Sequence, residues 1–343
     1  MNSQERVRAM LDFQEVDMPP VEYHSNLRGL YDHGEALRKM IVSMPGDFED
    51  YSDIPAPVIP EDAYDENGRY FERKTDEWGV EWEYRIFSMM GQAKKFPLAD
   101  ISRFDSYVPP PSRYQSPADF SALCDQVKKV KKNGYCKMGG IGFFEILHAI
   151  RPFEDVLMDL FDDSDEIHRL ADMIVEKQLK EVHALIAAGV DGIQFGDDFG
   201  TQRALMMTPE MWRHFFVPRY KRLIDPIKAA GKDVFFHSCG CCVDILTDLR
   251  NLGVDAIWPQ LAVYDLDELA ETLRSLHLAC ALHIDRAGVM TRGTSADVEA
   301  AVHKTAKAFD IKNGGGWFYI EIDNEFPLAN VETLFRCIGE YRR

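Results

Sequence analysis

The 343-residue chain has no run of about 18 apolar residues, so nothing in it reads as a membrane span. No glycine-rich dinucleotide fingerprint follows any strand-like segment, which counts against an open nucleotide-binding sheet. Internal repeats are absent, which excludes solenoids and propellers. The opening MNSQERVRAMLDFQEVDMPP mixes acidic and basic residues around no apolar core, so no targeting peptide is expected. Positive charge is scarce: 39 Lys and Arg stand against 57 Asp and Glu, a formal charge of −18. A field of that sign argues against nucleic acid and anionic membrane as partners. It also disfavours a polycarboxylate substrate unless a local basic pocket overrides it. Seven cysteines at uneven spacings, in a chain this long without a secretion signal, point to reduced thiols and a cytoplasmic protein.

What is present is an alternation. Short β-rich runs occur at 134–140, 190–198, 232–240, 254–260, 278–285 and 315–323, with a first strand expected at 17–24. Between them lie segments such as DEIHRLADMIVEKQLKEVHALIAAG and SADVEAAVHKTAKAF, whose apolar positions recur at three- and four-residue intervals. Thr208-Pro209 and Thr294-Ser295 offer capping hydroxyls, and glycines at 189, 231 and 253 sit where helices should stop. Strand, helix and strand repeated without hairpin turns demand parallel pairing and right-handed crossovers. The expected fold is a (β/α)8 TIM barrel in the α/β class, one domain over 1–343, with an open doubly wound sheet as the runner-up. Seven strands are visible, and an eighth is expected in the N-terminal half. Residues 25–115 break the alternation and are taken as an insertion folded over the barrel, with a hairpin in ERKTDEWGVEWEYRIF.

Chemistry in parallel barrels collects at the carboxyl ends of the strands. Here those ends carry Tyr23-His24, Asp197-Asp198, His237-Ser238-Cys239, Trp258-Pro259-Gln260, His283-Ile284-Asp285 and Glu321-Ile322-Asp323. His237 and Cys239 are two apart, so on a strand they share a face. Imidazole and thiolate are ligands that zinc accepts, although a buried cysteine beside a hydrogen-bonded histidine gives the same pattern. Cys241 and Cys242 read as packing residues. Of the adjacent Asp197 and Asp198, one should enter the mouth while the other pairs with Arg203 or caps an element; Asp197 is taken as the catalytic carboxylate. FGTQRALMMTP, which follows them, is long enough to act as a lid. Asp285 is expected to order its own turn. Tyr23, His24, Trp258 and His283 are the candidate substrate contacts, with Trp78 and Trp82 as further aromatic wall.

GVDGIQFGDDFGTQRALMMTPEMWRHFFVPRYKRLIDPIKAAGKDVFFHSCG resembles the middle of the uroporphyrinogen decarboxylase superfamily. HIDRAGVMTRGTSADVEAAV and PLANVETLF are similar to its closing segments, and ERVRAMLDFQEVDMPPVEYH to its first helix and strand. The resemblance covers nearly the whole chain except much of the insertion, and implies the same barrel. The arginine-rich segment with which the decarboxylases hold porphyrinogen carboxylates is replaced by HSNLRGLYDHG, with the single arginine Arg28. HSCG instead resembles the zinc-dependent corrinoid methyltransferases, in which His-x-Cys and a later cysteine bind the metal. His237 and Cys239 match the first two ligands. The last strand, WFYIEIDNEFP, has no cysteine; Glu321 is expected as the third ligand and Asp323 as a catalytic partner orienting a ligand or substrate.

The resemblance therefore implies zinc, a corrinoid (cobalamin) carried by a partner protein, and a methylated small molecule as donor. A carboxylate in place of the third thiolate favours a harder partner atom, so an aryl methyl ether and O-demethylase chemistry are expected rather than a thiol acceptor. The alternatives are a uroporphyrinogen decarboxylase-like decarboxylase, a methylcorrinoid:thiol methyltransferase and a non-catalytic zinc-binding barrel. Whether the protein is a monomer or a homodimer is left open by the sequence.

Overall fold

The structure is a computed structural model that describes residues 1–24, 27–48 and 57–343. Its strands are β1 (Val21–Tyr23), β2 (Glu72–Thr75), β3 (Glu81–Tyr84), β4 (Gln92–Lys95), β5 (Lys137–Ile141), β6 (Gly192–Gly196), β7 (Asp233–Ser238), β8 (Ala256–Pro259), β9 (Ala279–Leu282) and β10 (Gly316–Ile320). Seven form one parallel sheet in the order β1-β10-β9-β8-β7-β6-β5, and β2-β3-β4 form a small antiparallel sheet. The parallel strands and the helices between them make a TIM-type barrel. No eighth parallel strand is present among the described residues. At the gap between β1 and β5, however, Asp47 donates its N–H to the Val21 carbonyl at 2.7 Å and accepts from Tyr135 N–H at 2.8 Å. One residue of main chain thus stands where the expected eighth strand would begin; residues 49–56 lie outside the described residues. The Lys137–Glu22 ion pair (2.5 Å) spans the same gap from inside.

The period-two alternation of the strands divides two cores. Inward, Phe235, Trp317, Tyr319, Tyr135 and Phe48 fill the barrel beside the small residues Ala256, Ala279 and Ala281. Large rings fit because their neighbours are small: a Cβ on Gly192 would lie 2.5 Å from the Phe235 ring. Outward, Tyr23, Phe195, Phe236, Phe318, Ile320 and Ile322 pack beneath the helices.

Helix ends follow the local chemistry. Thr208 accepts from Met211 N–H ahead of Pro209, and Thr294 forms a capping box with Asp297. Gly189 and Gly253 end their helices with φ of 88° and 102°. The amphipathic segment PEMWRHFFVPRYKRLIDPIKAAG forms two helices, Pro209–Phe215 and Val217–Ala229. Pro218 lacks an N–H and its ring crowds the carbonyl four residues back, so a new helix starts there.

The insertion expected at 25–115 divides as well. Its first part, helix Leu27–Ser43, packs on the last helix, Leu328–Tyr341, as a barrel helix does. The inserted structure follows residue 56 and contains β2–β4, with the expected hairpin between β2 and β3. Asp76 builds that turn by accepting from Trp78 and Val80 N–H. The insertion is tied to helix Asp165–Ala188 through Arg113–Glu181 and Glu77–Lys177. No helix among the described residues is long and apolar enough to cross a membrane.

Candidate functional site

The carboxyl ends of β7 to β10 enclose a cavity of about 360 Å³ whose lining includes His237, Cys239, Trp258, His283, Arg286, Glu321 and Asp323. His237 and Cys239 share a face, with Cys239 Sγ 3.4 Å from His237 Nε2. The other ring nitrogen, His237 Nδ1, is 2.7 Å from the Trp258 carbonyl. A carbonyl can only accept, so Nδ1 carries the proton and Nε2 presents its lone pair to the cavity. Burial lowers the His237 pKa, which keeps the ring neutral.

The carboxylate that joins this pair is Asp198. Its Oδ1 accepts from Cys239 N–H at 2.7 Å and lies 3.4 Å from His237 Nε2. One ligand atom from each of Asp198, His237 and Cys239 falls within 4.8 Å of the other two. Burial, and then the Asp198 charge, push the Cys239 thiol up to about 12, so without a cation it stays protonated.

Asp197, the carboxylate expected at the mouth, lies elsewhere. The pleat turns it away from the mouth into full burial, where it accepts from Phe143 N–H (2.9 Å), Glu145 N–H (2.8 Å) and Tyr220 Oη (2.5 Å). It fastens the loop after β5 and the start of the following helix, and cannot reach a donor in the cavity. Burial pushes its pKa up to about 7. Neither aspartate pairs with Arg203 among the described ion pairs.

The expected lid is also fastened. Gly200 N–H donates to Cys239 O at 3.2 Å, and Cys241 N–H to Thr201 O at 2.7 Å. A Cβ on Gly240, whose φ is +74°, would sit 2.1 Å from Gly200 O. This glycine contact locks the ligand loop against the loop after β6. Asp285 does order its turn, accepting from Ala287 and Gly288 N–H.

On the opposite wall Glu321 and Asp323 face the cavity while Ile320 and Ile322 are buried behind them. Arg286 bridges the two carboxylates, 3.3 Å from Glu321 Oε2 and in closer contact with Asp323. Glu321 Oε1 is 3.9 Å from His24 Nε2, so Glu321 stands outside the Asp198–His237–Cys239 group. Glu321 Oε2 and His283 Nδ1 are buried without a hydrogen bond. Burial raises Glu321 to about 7 and lowers His283 to about 3, so the histidine is neutral at any working pH.

His24 and Trp258 are at the mouth, their ring centroids 5.7 Å apart, with Tyr319 at 4.3 Å from Trp258. Tyr23 is not: it is buried toward the helices, donates to Met44 O at 2.6 Å and stacks on Phe335. Trp78 and Trp82 belong to the insertion, where Trp82 Nε1 donates to Asp76. The sequence reading missed Met89, which reaches the cavity from the β3–β4 loop, and Tyr319, an inward strand residue that lines, with His24 and Trp258, an adjoining cavity of about 420 Å³. Alternation in WFYIEID could have found Tyr319; no local signal marks Met89.

The uroporphyrinogen decarboxylase (URO-D) family profile matches residues 93–341. The chain belongs to this family. Within it the chain is similar to Methylcobamide:CoM methyltransferase MtbA of Methanosarcina mazei, at 25% identity over 186 residues. That alignment covers 54% of this chain, and the chain spans about half (52%) of the relative's length. A solved structure described as a methyltransferase from Methanosarcina mazei superposes over 100% of both chains, with a TM-score of 0.72 at 15% identity. At that identity the likeness is one of fold.

Proposed function

We propose that the protein is a zinc-dependent methyltransferase that moves a methyl group from a methylated small molecule, an aryl methyl ether in the sharpest form of the reading, to a corrinoid protein docked over the mouth. The observation that carries it is the pairing of the His237 Nε2 lone pair with Cys239 Sγ at a barrel mouth in a family that includes corrinoid methyltransferases. When bound, zinc supplies a Lewis acid for the departing heteroatom, and the partner's corrinoid supplies the nucleophile. His237 and Cys239 hold the metal. Asp198 is the third ligand within reach as the side chains stand; Glu321, expected from the sequence, would first have to leave Arg286. Its Oε2 makes no hydrogen bond and meets Arg286 at 3.3 Å, which supports that second choice.

The remaining residues bind and orient. Neutral His283 offers an N–H or a lone pair to the donor, and His24, Trp258 and Tyr319 give an aromatic group a wall. Asp323 positions Arg286. Seven free cysteines accord with a cytoplasmic location.

The relative's name favours a second reading, methyl transfer from a methylcorrinoid to a thiol. The test uses zinc-loaded protein with methoxylated arenes and free cob(I)alamin, and separately with methylcobalamin and thiols. Methylcobalamin formation from an arene is the expected result. Its loss with a thiol alone selects the second reading, and carbon dioxide release from uroporphyrinogen the decarboxylase.

A further inference from the structure

Among the described residues that line the metal cavity, one is cationic: Arg286. Residues 25–26 and 49–56, outside the described ones, contain neither lysine nor arginine. Arg286 is already committed. One terminal nitrogen meets Asp323 in a close ion pair and the other lies 3.3 Å from Glu321 Oε2. Asp285 and Glu325 add two more carboxylates to the lining, and Asp198 stands across the cavity beside His237 and Cys239. Burial, followed by nearby positive groups, lowers His283 to about 3, so it adds no charge, and His24 stands exposed at the rim, 3.9 Å from Glu321 Oε1. Lys137, which lines the adjoining cavity on the far side of Trp258, is held by Glu22.

Resting on the proposed reading of this site, we infer that the cavity takes uncharged or cationic methyl donors and rejects carboxylated or phosphorylated ones, because Asp323 and Glu321 neutralise its single guanidinium. A divalent metal and the Cys239 thiolate do not reverse this. One carboxylate ligand brings the metal site to neutrality, whether it is Asp198 or Glu321. The remaining carboxylates then outnumber Arg286. If Glu321 is protonated, Asp323 alone still cancels Arg286. A donor carboxylate would have to enter a partly desolvated cavity with no free cation, or strip Arg286 from Asp323 and leave that aspartate buried and unpaired. An amine or alcohol meets neither cost, and an ammonium group finds acceptors waiting.

The inference can be tested without turnover. In full-length protein stripped of metal, Cys239 is alkylated with iodoacetate and with iodoacetamide, and the product is quantified by peptide mass spectrometry. The intrinsic preference of a short cysteine peptide is the reference, and the raised thiol pKa slows both reagents alike. The iodoacetate-to-iodoacetamide rate ratio at Cys239 should fall about ten-fold below the peptide's, the effect of one unbalanced charge a few ångström away. Asp323→Asn should raise that ratio by freeing Arg286, and Arg286→Gln should lower it further. A wild-type ratio equal to or above the peptide's overturns the inference. A second arm measures calorimetric affinity of zinc-loaded protein for 4-methoxybenzylamine, 4-methoxybenzyl alcohol and 4-methoxybenzoate, which differ mainly in charge. The benzoate should bind weakest, and its binding tightest overturns the inference. If none of the three binds, the aryl-ether reading fails, and the alkylation ratio still decides the charge of the cavity.

Discussion

The two walls of the mouth cavity are held by different means. On the β6–β7 side main chain fixes the ligand residues: Trp258 O orients His237, Cys239 N–H holds Asp198, and the Gly200–Gly240 contact pins the loop that carries Cys239. On the β9–β10 side the groups hold one another. Arg286 spans Glu321 and Asp323 as a side-chain bridge, and two buried polar atoms have no hydrogen bond. A wall set by backbone presents ligands without rearrangement, which is what a metal needs. A wall set by side-chain charge can exchange its internal contacts for those of a guest. The first should fail as a unit when its geometry is broken, and the second should change by degrees.

The sharpest way to break the contrast is to remove the preset ligands. Protein purified without chelator should carry about one zinc per chain. The double substitution His237→Ala and Cys239→Ala should reduce that to background while circular dichroism still reports a folded barrel. Full zinc occupancy in the double variant would refute the metal assignment.

Next in size is the support beneath that wall. Asp197→Ala leaves three donors without an acceptor and should cost about 2–4 kcal/mol in urea unfolding. Zinc content should hardly change, because Asp197 lies behind the ligands. Because the folded pKa of Asp197 is raised to about 7, the native state holds a proton that the unfolded chain releases above about pH 4. Its stabilisation is complete below that lower value and is lost as pH rises to about 7. Asp197→Asn, which resembles the protonated side chain, should flatten that part of the stability profile. An unchanged pH slope in the asparagine variant would mean that Asp197 is ionised throughout.

Gly240→Ala introduces a Cβ into the Gly200 carbonyl at a positive φ, so the loops must part. Roughly 2 kcal/mol of stability should go, together with zinc affinity, since the same contact positions Cys239. Retained affinity with lowered stability would separate the clamp from the ligand geometry.

The smallest effects sharpen the choice between carboxylates. Asp198→Asn should weaken zinc binding by roughly ten-fold or more, whereas Glu321→Gln should do less, because only Asp198 already lies with the pair. The reverse order in competitive chelator titrations would make Glu321 the ligand and show that Arg286 releases it when metal binds.

The barrel was legible because its signals are local and repeated. Helical periodicity, Thr208-Pro209, Thr294 and the glycines at 189 and 253 act within a few residues and reappear at the expected ends. His237 and Cys239 were legible for the same reason: a two-residue spacing on a strand fixes a shared face. Between adjacent residues the pleat guarantees opposite faces but not which one faces in, so Asp197 and Asp198 were exchanged. The β6–β7 register, which sets Gly196 beside His237, decides that choice. Tyr23 was misplaced by the same ambiguity. Met89 enters from a loop whose position depends on how the insertion docks on helix Asp165–Ala188, and no short-range pattern encodes that.

The sequence by itself determined the parallel alternation, the polar strand ends and the pair of metal-ligating residue types, because each follows from propensity and spacing along one segment. Only the tertiary structure decided that Asp198 joins His237 and Cys239, that Arg286 ties Glu321 to Asp323, and that the presumed lid is clamped by two glycines. Those relations join residues tens of positions apart, and they exist only once the sheet curls and brings the strand ends around one cavity.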